Sequence, residues 1–188
     1  MGNPQTVRMT PLALGPEHGT LTLSTGVEGR AAKAGHSLTI ALSSWTAEVG
    51  LEGQVPVSLA FRTPLASLEV TAGKGGLKPL SDKDRRTIKE SALETLSAQE
   101  HPEVVFTSSA VAPEGTGYVV DGTLEVAGVA RPARLTVEVV LDGGAATLSG
   151  RTDVVQTEHG VKPYSAMMGG LRVRDRVDVA LTATVALP

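Results

Sequence analysis

The chain of 188 residues contains no cysteine. That excludes a disulfide framework, a thiolate nucleophile and any zinc site that draws on cysteine. It leaves the compartment unmarked, because an absence of cysteine suits cytosol and periplasm alike. Aromatic residues make up only 3% of the chain and the net charge is −3. With neither a stacking platform for bases nor a positive field to gather phosphates, the composition argues against nucleic acid as a partner.

Long hydrophobic runs are also missing. Polar residues interrupt every apolar stretch before the ~18 residues of a membrane span. The stretch from Met1 to Thr20 lacks the ordered basic start, apolar run and small-residue cleavage site of a secretory signal. These observations predict no transmembrane segment and a cytoplasmic location. The four histidines, His18, His36, His101 and His159, stand at no i, i+2 or i, i+4 spacing, so none forms a converging pair of metal ligands. G-x-S-x-G, G-x-x-x-x-G-K-[ST] and G-x-G-x-x-G signatures are absent, and the residues point to no cofactor and no conventional catalytic centre.

What is present is a globular balance of 41% hydrophobic and 20% charged residues, enough for one domain with one core. Residues 1–19 are short of periodicity and contain proline, which predicts an N-terminal arm; residues 20–188 form the domain. From Thr20 the pattern alternates apolar with polar residues, the period of half-buried strands. TLTLSTGV, HSLTIALS and VPVSLAF show it first. It returns in EVVFTSSAV, YVVDGTLEVAG, ARLTVEVVLD, ATLSGRTDV and RVDVALTATVAL, where Val177, Val179, Leu181, Ala183, Val185 and Leu187 share a face. Turn signals at Pro113-Glu114-Gly115, Ala127-Gly128 and Asp142-Gly143-Gly144 join neighbouring strands as hairpins, so the sheet is antiparallel.

One segment breaks the period. In LSDKDRRTIKESALETLSAQEHP, Ser81 and Asp84 resemble a capping box, Ile88, Ala92 and Leu96 recur every four residues, and Pro102 ends the run. This predicts a single amphipathic helix near Asp82 to Leu96 whose apolar stripe lies on the sheet or its open end. The expected fold is all-β, about eight antiparallel strands with that helix; periodicity alone leaves both barrel and sandwich open. About eight strands make a barrel that is either just filled by side chains or holds one small ligand.

Several polar clusters admit two readings. Glu158, His159, Lys162 and Tyr164 offer acid and base groups, or form a polar loop at a rim. Arg85 and Arg86 offer phosphate contacts, or belong with Asp82 and Asp84 to a charged helix start. Arg172, Arg174 and Arg176 form a headgroup clamp or a solvated face. Met167 and Met168, before Gly169-Gly170, adapt to a ligand at a pocket mouth or fill gaps. Trp45, the single tryptophan, gates a cavity or anchors the core.

The order of the second half resembles the YceI-like family of lipid-binding barrels. The resemblance rests on a charged helix leading to Pro102 and a strand with Phe106, then Tyr118, Gly122, Leu124 and Gly128, then Gly160 in a polar stretch, then Asp175 and Val177 before the closing strand. It spans about Leu65 to Val185, and more weakly the strands from Thr20. It implies an extended lipocalin-like antiparallel barrel with an apolar tunnel that holds a polyisoprenoid or fatty chain without a cofactor, and so favours barrel over sandwich.

On this reading the ligand-binding residues are Ile40, Leu42, Leu59, Phe61, Phe106, Leu124, Val126, Leu135, Val137, Tyr164, Met168, Val179 and Leu181. The partner is an apolar lipid or isoprenoid, and a homodimer is left open. Two other readings remain: a barrel isomerase or cyclase using Glu158, His159 or Tyr164, and an interaction protein with a filled barrel.

Overall fold

In the computed structural model the described residues are 10–186. Their elements are β1 (Thr10–Leu14), β2 (Gly19–Ser24), β3 (Val27–Glu28), β4 (His36–Leu42), β5 (Thr46–Glu52), β6 (Val55–Pro64), β7 (Leu68–Gly75), α1 (Asp82–Thr95), β8 (Glu103–Glu114), β9 (Gly117–Val126), β10 (Val129–Asp142), β11 (Ala145–Val155), β12 (Ser165–Ala166), β13 (Leu171–Val173) and β14 (Arg176–Ala186). Eleven strands make one sheet in the order β1-β5-β6-β8-β9-β10-β11-β14-β2-β4-β7, and a second sheet has the order β12-β13-β3. Every ladder is antiparallel.

The eleven-stranded sheet has to curl strongly. The links between β4 and β5, and between β6 and β7, are three residues each, Ser43 to Trp45 and Leu65–Ser67. Yet they join strands from opposite ends of the order. Only curling that brings those ends together lets so few residues bridge them, and the Ser43 amide donates to the Ser67 carbonyl between the two links. Among the described residues no ladder joins β1 to β7, so the sheet is strongly curled rather than closed by hydrogen bonds.

The expectation of about eight strands is therefore corrected to eleven in the main sheet. The difference comes from elements too short for a period to register, such as β1, and from β5, whose alternation is broken near Gly50 by a bulge. The N-terminal arm expected over residues 1–19 is also corrected from Thr10 onward. There β1 pairs with β5, with Pro11 opposite Gly50, and Leu14 is buried. A proline suits this place because an edge strand needs hydrogen bonds on one side only. The arm's residues 1–9, and Leu187 on the face predicted for the last strand, lie outside the described residues.

The hairpins form at the predicted turns. Ala127-Gly128 and Gly143-Gly144 both have positive φ at two successive residues, the conformation whose twist matches paired strands. Helix α1 starts as predicted: Ser81 Oγ accepts from the Asp84 amide at 3.2 Å, and the Ser81 amide donates to Asp84 Oδ2 at 2.9 Å. The Ser81 hydroxyl also donates to Asp84 Oδ2 at 2.7 Å, and this bond, with that from the Ser81 amide, holds the Asp84 carboxyl below its usual pKa. The helix joins β7, at one end of the strand order, to β8 beside β6, so it spans the seam. Arg85 Nη1 donates to the Val70 carbonyl of edge strand β7 at 2.7 Å, and Lys89 Nζ to the Ala66 carbonyl at 2.8 Å. The charged helix start thus anchors the helix to the sheet.

Candidate functional site: an apolar cavity inside the curled sheet

Strands β10 and β14 show the period-two pattern clearly. On β14 the inward residues run from Val177 to Val185, with exposed residues between them. Towards Ala183 and Val185 the inward side chains are buried, whereas Val177, Val179 and Leu181 are only half-buried. The same holds for Leu135 and Val137 on β10. An inward-facing side chain keeps accessible surface only if the space in front of it is empty, and here that space is a cavity of about 520 Å³.

One end of the cavity is closed by a core of Leu14, Leu21, Leu42, Trp45, Leu68 and Val185. Trp45 is 1% exposed and its ring stacks on that of Phe61, 6.5 Å between centroids. It does not line the cavity, so it anchors the closed end and does not gate. A second core, around Phe106, Val120, Leu124, Val126 and Val161, supports the opposite wall. Ile88 and Ala92 of α1, with Leu96 at its C-terminal cap, face the cavity across the seam, so the helical stripe covers the sheet's opening.

At the other end the walls are Val27, Gly35, Tyr164, Leu171 and Val173. Tyr164 lines the cavity while remaining exposed, which places the mouth beside it.

Of the ligand-binding residues read from sequence, Ile40, Leu42, Leu59, Phe61, Phe106, Leu124, Val126, Leu135, Val137, Tyr164, Val179 and Leu181 all line this one cavity. Met168 does not. It is fully exposed and has positive φ, because the short helical turn Met167–Gly169 directs it outward rather than over the interior.

Sequence reasoning missed Leu14, for which the proline-containing start gave no period, and the cavity-facing positions Leu148 and Gly150. The alternation of ATLSGRTDV contains the signal for those two. Gly150 is notable because a Cβ added there would meet nothing closer than Leu181 Cβ, at 3.7 Å.

The polar candidates do not converge. His159 is 4% exposed, and its ring nitrogen Nδ1 lies 2.8 Å from the Val129 carbonyl oxygen. It does not line the cavity, and neither does Glu158, which is exposed. Reading His159 as part of a polar rim loop is therefore corrected, since its ring is buried and hydrogen-bonded. The loop that carries it is held by Asp175, whose carboxylate accepts from the Thr157 hydroxyl at 2.5 Å and the Thr157 amide at 2.8 Å. These bonds hold the Asp175 carboxyl below its usual pKa.

Arg172 pairs with Glu28 at 2.9 Å and Arg176 with Asp153 at 2.7 Å. Asp121 pairs with Arg134 at 2.7 Å, which lowers the carboxyl pKa and raises that of the guanidinium. Among the described residues no three His, Asp or Glu side chains gather where a metal would sit, and no helix is long and apolar enough to cross a membrane.

An antiparallel sheet wrapped around an apolar internal cavity, with a helix over its seam, defines a class of β-protein built around an interior space. Within that class the chain belongs to the YceI-like family, whose domain model matches residues 13–185. Its fold is similar to that of BcnA from Burkholderia cenocepacia, at 20% identity and a TM-score of 0.63, covering 88% of this chain and 96% of that one. It is also similar to the YceI protein of Campylobacter jejuni, at 11% identity and a TM-score of 0.54, covering 100% and 90%. No curated protein matches the chain.

Proposed function

We propose that the protein binds one long apolar molecule, of polyisoprenoid or fatty-chain type, in its internal cavity and so sequesters or carries it. The observation that carries this reading is the cavity of about 520 Å³ walled by aliphatic side chains from both halves of the chain. Such a site gains roughly 25 cal/mol for each Å² of apolar surface removed from water, before the costs of ordering. Few polar groups face the interior, so selection for length and branching is weak and specificity broad.

The arrangement favours binding over catalysis because only Tyr164 of the three acid–base candidates lines the cavity. It also weighs against a filled interaction barrel, since inward residues such as Leu135 and Val179 retain accessible surface.

Native mass spectrometry of purified protein, followed by lipid extraction, tests the proposal. It predicts a bound apolar species of one chain per protein. A ligand-free protein that gains no adduct on incubation with isoprenols and fatty acids contradicts it.

A further inference from the structure

Around the cavity mouth three segments come together: Gly26 to His36, Gly73 to Leu80, and Gln156 to Asp175. The Ala31 amide donates to the Gly170 carbonyl at 2.7 Å, the Val173 amide to Tyr164 at 3.0 Å and the Arg174 amide to Gly26 at 2.9 Å. His36 Nε2 sits 2.9 Å from the Lys78 carbonyl oxygen.

Two properties of this rim stand out. Of the seven exposed large hydrophobic side chains among the described residues, four are here: Leu77, Tyr164, Met167 and Met168. The other three, Val55, Val140 and Leu141, lie by the β5–β6 and β10–β11 hairpins. Met167 and Met168 are 63% and 106% exposed. They are held outward by two successive non-glycine residues at φ 53° and 52°, a backbone conformation that L residues other than glycine rarely adopt.

The second property is charge. These segments hold seven of the 17 Lys and Arg residues and three of the 20 Asp and Glu residues. A chain of net charge −3 therefore carries a positive rim at its cavity mouth and a more acidic remainder. Of the rim's three acidic groups, Glu28 is bound to Arg172, Asp175 accepts from Thr157 and Glu158 is exposed, against five exposed basic groups, Arg30, Lys33, Lys74, Lys78 and Lys162.

We infer that this rim is a docking surface for an anionic phospholipid bilayer. Its basic side chains face the headgroups, and Met167, Met168 and Leu77 enter the interface, bringing the cavity mouth against the membrane. Adjustable apolar groups ringed by Lys and Arg are the elements of interfacial binding. Attraction to an anionic surface falls off within a Debye length, so it acts only where the charges are clustered. The inference rests on the proposed function for its purpose, which is transfer of the apolar ligand between bilayer and cavity without exposure to water.

The test is flotation of the full chain with vesicles of phosphatidylcholine alone, or with about one-third phosphatidylglycerol, at low and high salt. Each basic group near such a surface is worth about fivefold in binding. The parent should float with the anionic vesicles at low salt, lose most binding at high salt, and bind the neutral vesicles weakly. Arg30→Glu/Lys33→Glu/Lys162→Glu should bind at least tenfold more weakly (~10-fold or more), and Met167→Ser/Met168→Ser severalfold more weakly at unchanged charge. A parent that ignores both vesicles or binds both equally overturns the docking surface. So does a charge variant that binds like the parent, and so does a methionine variant that does, since the rim then shows only a general attraction for polyanions.

Thermal melting of the same proteins with a long isoprenol and no vesicles separates the two proposals. All three should be stabilised alike. Vesicle binding without any isoprenol stabilisation removes the carrier reading and leaves the docking surface, and the converse result removes the docking surface alone.

Discussion

The ring of His159 lies beneath β10, with Nδ1 2.8 Å from the carbonyl oxygen of Val129. A carbonyl only accepts, so Nδ1 carries the proton and donates it. The residue that offered the best acid or base in the sequence is thereby committed to holding the Gln156–His159 turn against the first residue of β10. Replacing it with alanine removes a buried ring and leaves the carbonyl of half-buried Val129 without this partner, at a cost of about 1 kcal/mol or more. His159→Ala should therefore melt earlier, yet retain the parent's added stabilisation by lipid. Urea unfolding with and without an isoprenol measures both; lost lipid stabilisation in a folded variant would place His159 in the site.

A second prediction concerns the helix over the seam. Arg85 and Lys89 donate to backbone carbonyls of Val70 and Ala66, while no residue of α1 is itself buried. These two bonds therefore add to the packing of Ile88 and Ala92 against the core in holding the helix. Arg85→Ala should cost about 1 kcal/mol, the usual net value of one hydrogen bond, and should speed ligand release because the cover loosens. Stopped-flow displacement of a fluorescent fatty acid measures the release; an unchanged rate would show that ligand does not leave past α1.

Much of this architecture was legible because one signal repeats cleanly. The alternation along β10 and β14 gave the inward faces, and the Ser81–Asp84 box with Ile88 and Ala92 gave the helix and its stripe. Legibility failed where local pattern carries no information on long-range pairing. Residues Thr10 to Leu14 form a strand only because β5 lies alongside, and nothing nearby in sequence announces a partner some 40 residues away, as in the pairing of Leu12 with Val49. Met168 was misplaced for a related reason: a flexible apolar residue beside glycines suits a pocket, but a positive-φ turn sends it outward. His159 was misjudged because the polar residues around it suggested exposure, while its burial depends on the distant Val129.

Asp175 supplies a dependence on pH. Its folded-state pKa lies below the ordinary carboxylate value because Thr157 donates to it. The carboxylate's bonds therefore stabilise the fold above the unfolded pKa of about 4 and are lost as pH falls through the depressed folded value. Asp175→Asn should lower stability at neutral pH and flatten the acid limb of the stability curve. Denaturant midpoints measured from pH 7 down to about pH 2, well below the unfolded carboxylate pKa, check this. Parallel curves for parent and variant would mean that the Thr157 bonds contribute nothing.

Whether the interior is a ligand site or an imperfectly packed core is tested most directly by Gly150→Val and Val137→Phe. Both positions line the cavity, and a Cβ at Gly150 meets only ordinary contact with Leu181 at 3.7 Å. A strand glycine costs about 0.5–1 kcal/mol relative to alanine, so adding a side chain into open space should hold or raise the melting temperature of lipid-free protein. The stabilisation gained from a long isoprenol or fatty acid, which follows ligand concentration over its dissociation constant, should shrink in both variants relative to the parent. The contrary result is a loss of about 1–3 kcal/mol in lipid-free variants, the penalty of overfilling a packed core, together with a parent whose melting temperature lipid leaves unchanged.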